Sequence, residues 1–366
     1  MIFGRSIGER TMPTAAAAAL LVSGGAVGAD LFKPSLAADA RVAQAGQAYE
    51  RYEEAHARIA RVNGIAMHYL EWGEPDPVPL IWAHGFSSTA YEFVEVGPGL
   101  AEAGLHVIAV TYRGHGRTGL PAAPFSLADI ADDLAALMDL KGLSCAVVGG
   151  LSLGGAVATT FYENYPDRVA GLVLEDGGSH PMQEVAEALF AADPEGRSDP
   201  PAAHRATYET RVGAVRAIAA PYAPFLGGVL DDIWALAFHS FVRPGERGGF
   251  VFHTDQAAML GSGRAAVDPA LSHELPLLAR SWRRVYPEIT YRNAEIPILV
   301  IDPTGDDAAF SLSPYNARLK SVNPGHVTVL AYADTLHAAH LQRPDRFVRD
   351  VAALARRARN CPAGGK

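Results

Sequence analysis

The feature that most constrains this chain is the pentapeptide Gly150-Leu151-Ser152-Leu153-Gly154. It follows an apolar run, residues 146–148, that reads as a buried strand, and it leads into Gly154-Gly155-Ala156, which reads as a helix of small residues. A strand that turns at once into a helix strains its corner residue and brings neighbouring side chains almost into contact. Glycines two before and two after the corner remove the β-carbons that would collide. The corner serine then stands at the carboxyl end of its strand. The helix that follows points its N-terminal N–H groups at any negative charge forming there. Ser152 is therefore the candidate nucleophile. Because such a short motif recurs by chance, its weight comes from its neighbours in the chain.

Those neighbours alternate between strand and helix. Residues 57–62 and 65–70 flank Asn63-Gly64, the signature of a two-residue hairpin turn. An apolar strand over 78–83 ends in His84-Gly85-Phe86-Ser87, and a helix is predicted over 88–103. The strand 107–112 is closed by Arg113-Gly114-His115-Gly116-Arg117. Ser126 and Asp129 can cap a helix whose apolar face is Leu127, Ile130, Leu134, Leu137 and Met138. After Ser152 a helix runs to Tyr165 and stops at Pro166, and the strand 169–174 ends at Glu175-Asp176-Gly177-Gly178.

From residue 179 to about 289 the rhythm breaks into an Ala-, Pro- and aromatic-rich stretch with weak strand signals. It resumes with an apolar strand at 296–302, a helical piece at 315–319, a strand at 327–332 and a last helix from Pro344. This pattern predicts an α/β fold: a mostly parallel twisted sheet, covered by helices on both faces, with an antiparallel start. Core segments are expected at 57–178 and 290–366. Residues 179–289 are expected as a helical lid inserted after the sixth strand, at the edge where open α/β sheets bind ligands.

The N-terminus reads differently. Arg5 and Arg10 precede an apolar run over 15–22 and small residues up to Ala29, which resembles a secretory signal cleaved after Ala29. Export or a periplasmic location is the expectation, a cytoplasmic protein with an Ala-rich extension the alternative. The run is too short for a membrane span, which takes about 20 apolar residues. Residues 30–56 read as a linker or a loose helix. A net charge of −9 without basic clusters argues against a nucleic-acid partner. Of the two cysteines, Cys145 reads as a small buried apolar residue and Cys361 lies in a polar tail, so no structural disulfide is expected.

The order of elements from about residue 62 to 354 resembles the α/β-hydrolase superfamily, in its cap-bearing serine hydrolase branch of esterases, lactonases, C–C hydrolases and cofactor-free haloperoxidases. The resemblance is carried by His84-Gly85-Phe86, the Arg113–Arg117 turn, the Ser152 corner, Asp306 past a late strand, and His337 followed by Pro344. It implies a triad in the chain order serine, acid, histidine: Ser152, Asp306 and His337. Asp302, Asp307 and Asp176 are rival acids, Asp176 because some relatives carry the acid after the sixth strand. It further implies the backbone N–H groups of Phe86 and Leu153 as oxyanion donors. The chain departs from the family at Val110-Thr111-Tyr112, where an acidic residue of mostly structural role is usual. Serine at the corner sets it apart from haloalkane dehalogenases and epoxide hydrolases, which need a carboxylate there.

The remaining candidates read as architecture. His84, His115 and Arg113 shape loops, and His340 lines the start of the last helix. The histidines lack metal-ligand spacing and no Gly-rich phosphate loop is present, so neither metal nor cofactor is expected. Tyr222, Phe225, Trp234, Phe238 and Phe241 in the lid are core residues or pocket walls. The expected activity is cleavage of a small to medium apolar carboxylic ester or lactone through an acyl-enzyme, with that ester-like small molecule as the expected partner and no reading of oligomeric state. A prolyl-type aminopeptidase, a C–C bond hydrolase and a non-catalytic ligand-binding protein are the alternatives. The first of these needs ordered lid carboxylates, and Glu184, Glu187 and Asp231 show no such order.

Overall fold

A computed structural model describes residues 36–75, 79–192, 194, 199–222, 232–305 and 311–358. Its strands are β1 (Ala57–Val62), β2 (Ile65–Trp72), β3 (Pro79–Ala83), β4 (His106–Thr111), β5 (Ala146–Leu151), β6 (Val169–Glu175), β7 (Val242–Pro244), β8 (Phe250–Phe252), β9 (Ile298–Pro303) and β10 (Val327–Tyr332). Eight of them form one sheet in the order β1-β2-β4-β3-β5-β6-β9-β10. The hairpin β1–β2 and the β2–β4 pair are antiparallel and the rest are parallel. Asn63 and Gly64 both take positive φ, 43° and 79°, which is what a two-residue hairpin turn matching the strand twist requires.

Every residue of β3, β4, β5, β6 and β9 is buried. Their continuous apolar runs are thereby explained, because helices cover both faces. One face carries α3 (Leu127–Leu140) and α4 (Leu153–Asn164), which pack Ile130, Leu134 and Phe161 onto Ile81, Val148 and Leu172. Ser126 and Asp129 close the predicted capping box at the start of α3. The other face carries α2 (Gly97–Glu102) and the final helix Pro344–Ala355, with Phe347 and Val351 against Trp82 and Phe93. The single helix expected over 88–103 is instead a 3-10 turn, Ala90–Phe93, followed by the short α2 with Pro98 in its first turn.

Two sequence expectations need correction. Residues 30–56, read as a linker or a loose helix, carry α1 (Leu36–His56), a packed helix of 21 residues. It buries Val42, Ala45 and Tyr49, at spacings of three and four. Val42 carbonyl accepts from His239 Nε2 at 2.9 Å, and Asp39 pairs with Arg216 at 2.6 Å. At its other end Glu53 accepts from His68 at 3.0 Å, Tyr91 at 2.9 Å and Arg117 at 2.5 Å. The helix thus straps residues 179–289 to the sheet. Its own sequence lacks a broad apolar stripe, so only these distant partners reveal it. The second correction is Cys145, which is disulfide-bonded. The chain's other cysteine, Cys361, lies outside the described residues.

Between β6 and β9 the chain forms mainly short helices, among them Met182–Ala192, Arg211–Ala219, Asp232–His239 and Leu277–Trp282. The insertion is not wholly helical: β7 and β8 pair as a small antiparallel hairpin. Trp234, Phe238 and Phe241 are buried in the core cluster on the α2 face, as core rather than pocket residues, and Phe225 lies outside the described residues.

The turn after β4 is fixed by a buried ion pair. Arg113 donates to both oxygens of Asp133 on α3, Nε at 2.6 Å and Nη2 at 2.7 Å, and Asn63 Nδ2 donates to the same carboxylate at 3.1 Å. Removing the carboxylate leaves a buried guanidinium without its counter-charge. Asp133→Ala is expected to cost about 3–5 kcal/mol in urea unfolding.

Candidate active site

Ser152 sits between the end of β5 and the start of α4 with φ 54° and ψ −116°. This is a backbone conformation that non-glycine residues rarely adopt, and it turns the side chain out at the carboxyl edge of the sheet. The crowding that enforces it is measurable. A β-carbon on Gly150 would lie 2.3 Å from the Gly154 carbonyl carbon, and one on Gly154 would lie 2.0 Å from the Ala83 carbonyl oxygen. Gly177, just after β6, would touch the Ser152 carbonyl oxygen at 2.1 Å. The Ser152 N–H donates to the Glu175 carbonyl at 2.9 Å. Ser152 is therefore held against the Glu175–Gly177 turn.

That turn supplies the acid. His337, in the loop after β10, places Nδ1 2.5 Å from Asp176 Oδ2. Nδ1 donates its proton to the carboxylate, which leaves a lone pair on Nε2. Nε2 is buried and meets no hydrogen-bond partner among the described residues. Burial disfavours the charged imidazole, but the hydrogen bond and charge of Asp176, aided by Glu175 and Glu92, outweigh it and raise the His337 pKa above 6.5. Among the described residues the carboxylate on His337 is thus that of Asp176, the rival acid of the sequence reading. Asp306 and Asp307 lie outside the described residues. Asp302 accepts from Asn316 Nδ2 at 3.0 Å and is half-committed to that structural bond.

Sequence reasoning did not find a second, parallel dyad beneath the first. Glu175 and His340 are both fully buried, and Glu175 accepts from His340 Nδ1 and from its backbone N–H, each at 2.8 Å. His340 Nε2 donates to the Glu92 carbonyl at 3.2 Å. Glu175 and Asp176 are adjacent, as are the turns bearing His340 and His337, so the lower pair fixes the register of the upper one. His180 was also missed. It is buried beside Asp176 and His337, and burial lowers its pKa to about 4, so it stays neutral.

The directions of the candidate N–H groups follow from peptide geometry. Gly85 carbonyl accepts from His84 Nδ1 at 2.7 Å and from the Ser88 N–H at 3.1 Å. The Phe86 N–H belongs to that same peptide group and points the opposite way. The Gly85 N–H is taken by the Glu92 carboxylate at 3.0 Å, and Glu92 also accepts from Trp82 Nε1 at 2.9 Å. Neither the Phe86 nor the Leu153 N–H has a partner among the described residues. Leu153 opens α4, where the first N–H groups have no acceptor within the helix. His84 therefore orients the loop, and burial lowers its pKa to about 3. The one sequence cue for Glu92 was an acid inside the otherwise apolar Ala90-Tyr91-Glu92-Phe93-Val94.

Gly154→Val is expected to yield insoluble protein or a melting temperature far below wild type, because the first atom it meets is backbone. Gly325→Ala, where a β-carbon meets nothing within 4 Å, should melt normally. Thermal melts of both variants check the elbow.

Comparison with known proteins agrees with this architecture. Residues 78–222 match the family model described as alpha/beta hydrolase fold. The chain is 35% identical to epoxide hydrolase A of Mycobacterium tuberculosis over 35% of its own length and 40% of that protein. It is 34% identical to lipase LipV of the same organism, over 35% of its own length and 49% of the lipase. The matches thus span less than half of these relatives. The crystal structure of E-2-(acetamidomethylene)succinate hydrolase superposes with a TM-score of 0.61 at 22% identity, covering 82% of this chain and 99% of the other. With an eight-stranded mixed sheet, a serine on the turn after β5 and a histidine loop after β10, the chain has the α/β-hydrolase fold.

Proposed function

We propose that this protein is a serine hydrolase of carboxylic esters or lactones that works through an acyl-enzyme. The observation that carries the reading is Ser152, at positive φ on a turn packed against Gly177, with the neighbouring Asp176 hydrogen-bonded to His337. Ser152 Oγ attacks the ester carbonyl while His337 Nε2 takes the hydroxyl proton. Asp176 stabilises the imidazolium and fixes the tautomer. The N–H groups of Phe86 and Leu153 receive the developing oxyanion, a contribution of about 3–4 kcal/mol for each donor. His337 then returns its proton to the leaving alkoxide. A water activated by the same imidazole hydrolyses the acyl-enzyme.

The similarity to epoxide hydrolases does not favour epoxide opening, since the turn residue here is serine and not a carboxylate. Among the described residues no group of acidic, histidine or cysteine side chains could hold a metal ion. A receptor-like binding protein would show single-turnover labelling at most, so multiple turnover of a short-chain nitrophenyl ester separates the two classes.

For location, we propose export. Oxidising compartments are where disulfides persist, and Cys145 carries one. Because Asp39 and Val42 bind the insertion, cleavage near Ala29 retains the whole strap, and intact mass of protein from its host should place the mature start near Asp30.

Two measurements test the mechanism. Asp176→Asn should lower kcat by about 10⁴ with little change in KM, whereas Asp306→Asn should lose less than tenfold. The neutral form of His337 is the base, and its pKa lies above 6.5. The acid limb of kcat/KM should therefore reach half-maximum above pH 6.5 in wild type and move to lower pH in Asp176→Asn.

A further inference from the structure

Ser87, next to the oxyanion donor Phe86, is fully buried and holds φ at 69°, a left-handed conformation that a serine does not adopt without support. Its support comes largely from the insertion. Gln256 Nε2 donates to Ser87 Oγ. His253 Nε2 and Tyr222 Oη each donate to the Ser87 carbonyl at 3.3 Å. From the sheet side, the Ser87 N–H donates to His115 Nε2 at 3.3 Å.

The tautomers close consistently around this residue. His253 Nδ1 accepts from the Gly116 N–H at 2.7 Å, so its proton is on Nε2, where it is needed for the Ser87 carbonyl. His115 Nδ1 donates to the Arg113 carbonyl at 3.3 Å, so its Nε2 is free to accept from Ser87. Gln256 Oε1 accepts from His204 Nδ1 at 3.3 Å, which orients its amide with the nitrogen toward Ser87. Burial holds both His115 and His253 well below the ordinary imidazole range, so neither tautomer is disturbed by protonation. Every polar atom of Ser87 is thus engaged, three of the four bonds coming from residues more than 130 positions away in the chain.

We infer that the insertion completes the oxyanion hole: Gln256, His253 and Tyr222 are positioning residues that hold Ser87 in its left-handed conformation and so aim the adjoining Phe86 N–H. Released from these bonds, Ser87 would relax toward a common backbone conformation and rotate the peptide groups on either side of it. The donor would then miss the oxyanion while the substrate could still bind. This inference rests on the serine-hydrolase reading.

The test uses the full chain, a nitrophenyl ester, and the rate of labelling by a fluorophosphonate. Gln256→Leu and Ser87→Ala should each lower kcat about tenfold, less than outright removal of an oxyanion donor, with KM changed less than about twofold. The double variant should be no worse than the poorer single one, because both act through one bond. Tyr222→Phe, which deletes a single hydroxyl and keeps the ring, should lower kcat about threefold and serves if Gln256→Leu does not fold. Additive losses in the double variant, losses confined to KM, or full activity in Ser87→Ala and Tyr222→Phe would overturn the inference while leaving the serine mechanism intact. A wild-type protein that neither turns over the ester nor labels would overturn the mechanism, and the inference with it.

Discussion

The close approach of three backbones around Ser152 governs the rest of the site. Gly154 lies against the Ala83 carbonyl at the end of β3, and Gly177 lies against Ser152 itself at the end of β6. Three neighbouring parallel strands therefore end within contact distance, and each continues into a loop that carries a functional group. β3 leads to the Phe86 N–H, β5 to Ser152 and the Leu153 N–H, and β6 to Asp176. A side chain at any of these glycines would separate the loops by more than a catalytic hydrogen bond tolerates. The strain in Ser152 is maintained by packing on every side of it.

Around this contact the protein uses buried polar groups as braces. Glu92 gathers the Gly85 N–H and the Trp82 indole. Glu175 gathers His340. Asp133 gathers Arg113 and Asn63. Each carboxylate is buried, so each bond is strengthened by the low local dielectric, and leaving one partner unmatched would be costly. The braces fix loops that carry few apolar contacts of their own. The two adjacent acids Glu175 and Asp176 divide the work: the first holds His340 and the second orients the His337 imidazole.

The N-terminal helix and the insertion belong to the same system. Helix α1 joins the insertion at Val42 and Asp39 and the sheet at Glu53, while Ser240 shares a 2.7 Å hydrogen bond with Thr89 and Thr254 bonds the Gly114 carbonyl. The polar attachments converge on the loop after β3 and on the turn after β4. The insertion therefore bears on the geometry of the loops at the carboxyl edge of the sheet.

The sequence alone determined the eight strands of the main sheet, the hairpin turn at Asn63-Gly64, the capped helix after Ser126, the serine turn and the histidine loop. All of these are written in local periodicity, glycine placement or capping chemistry, which act over a few residues. Only the tertiary structure brought Asp176 onto His337. Asp176 and Asp306 follow neighbouring strands of the sheet, and a local sequence window does not encode which carboxylate reaches an imidazole 161 residues from Asp176. The same reason hid α1, whose three buried residues are apolar enough only when His239 and the insertion cover them. It hid the disulfide at Cys145 and the clasp on Ser87, whose partners are more than 130 residues downstream. Pairings at that distance are set by how the sheet and the insertion fold together, and no short stretch of the chain carries them.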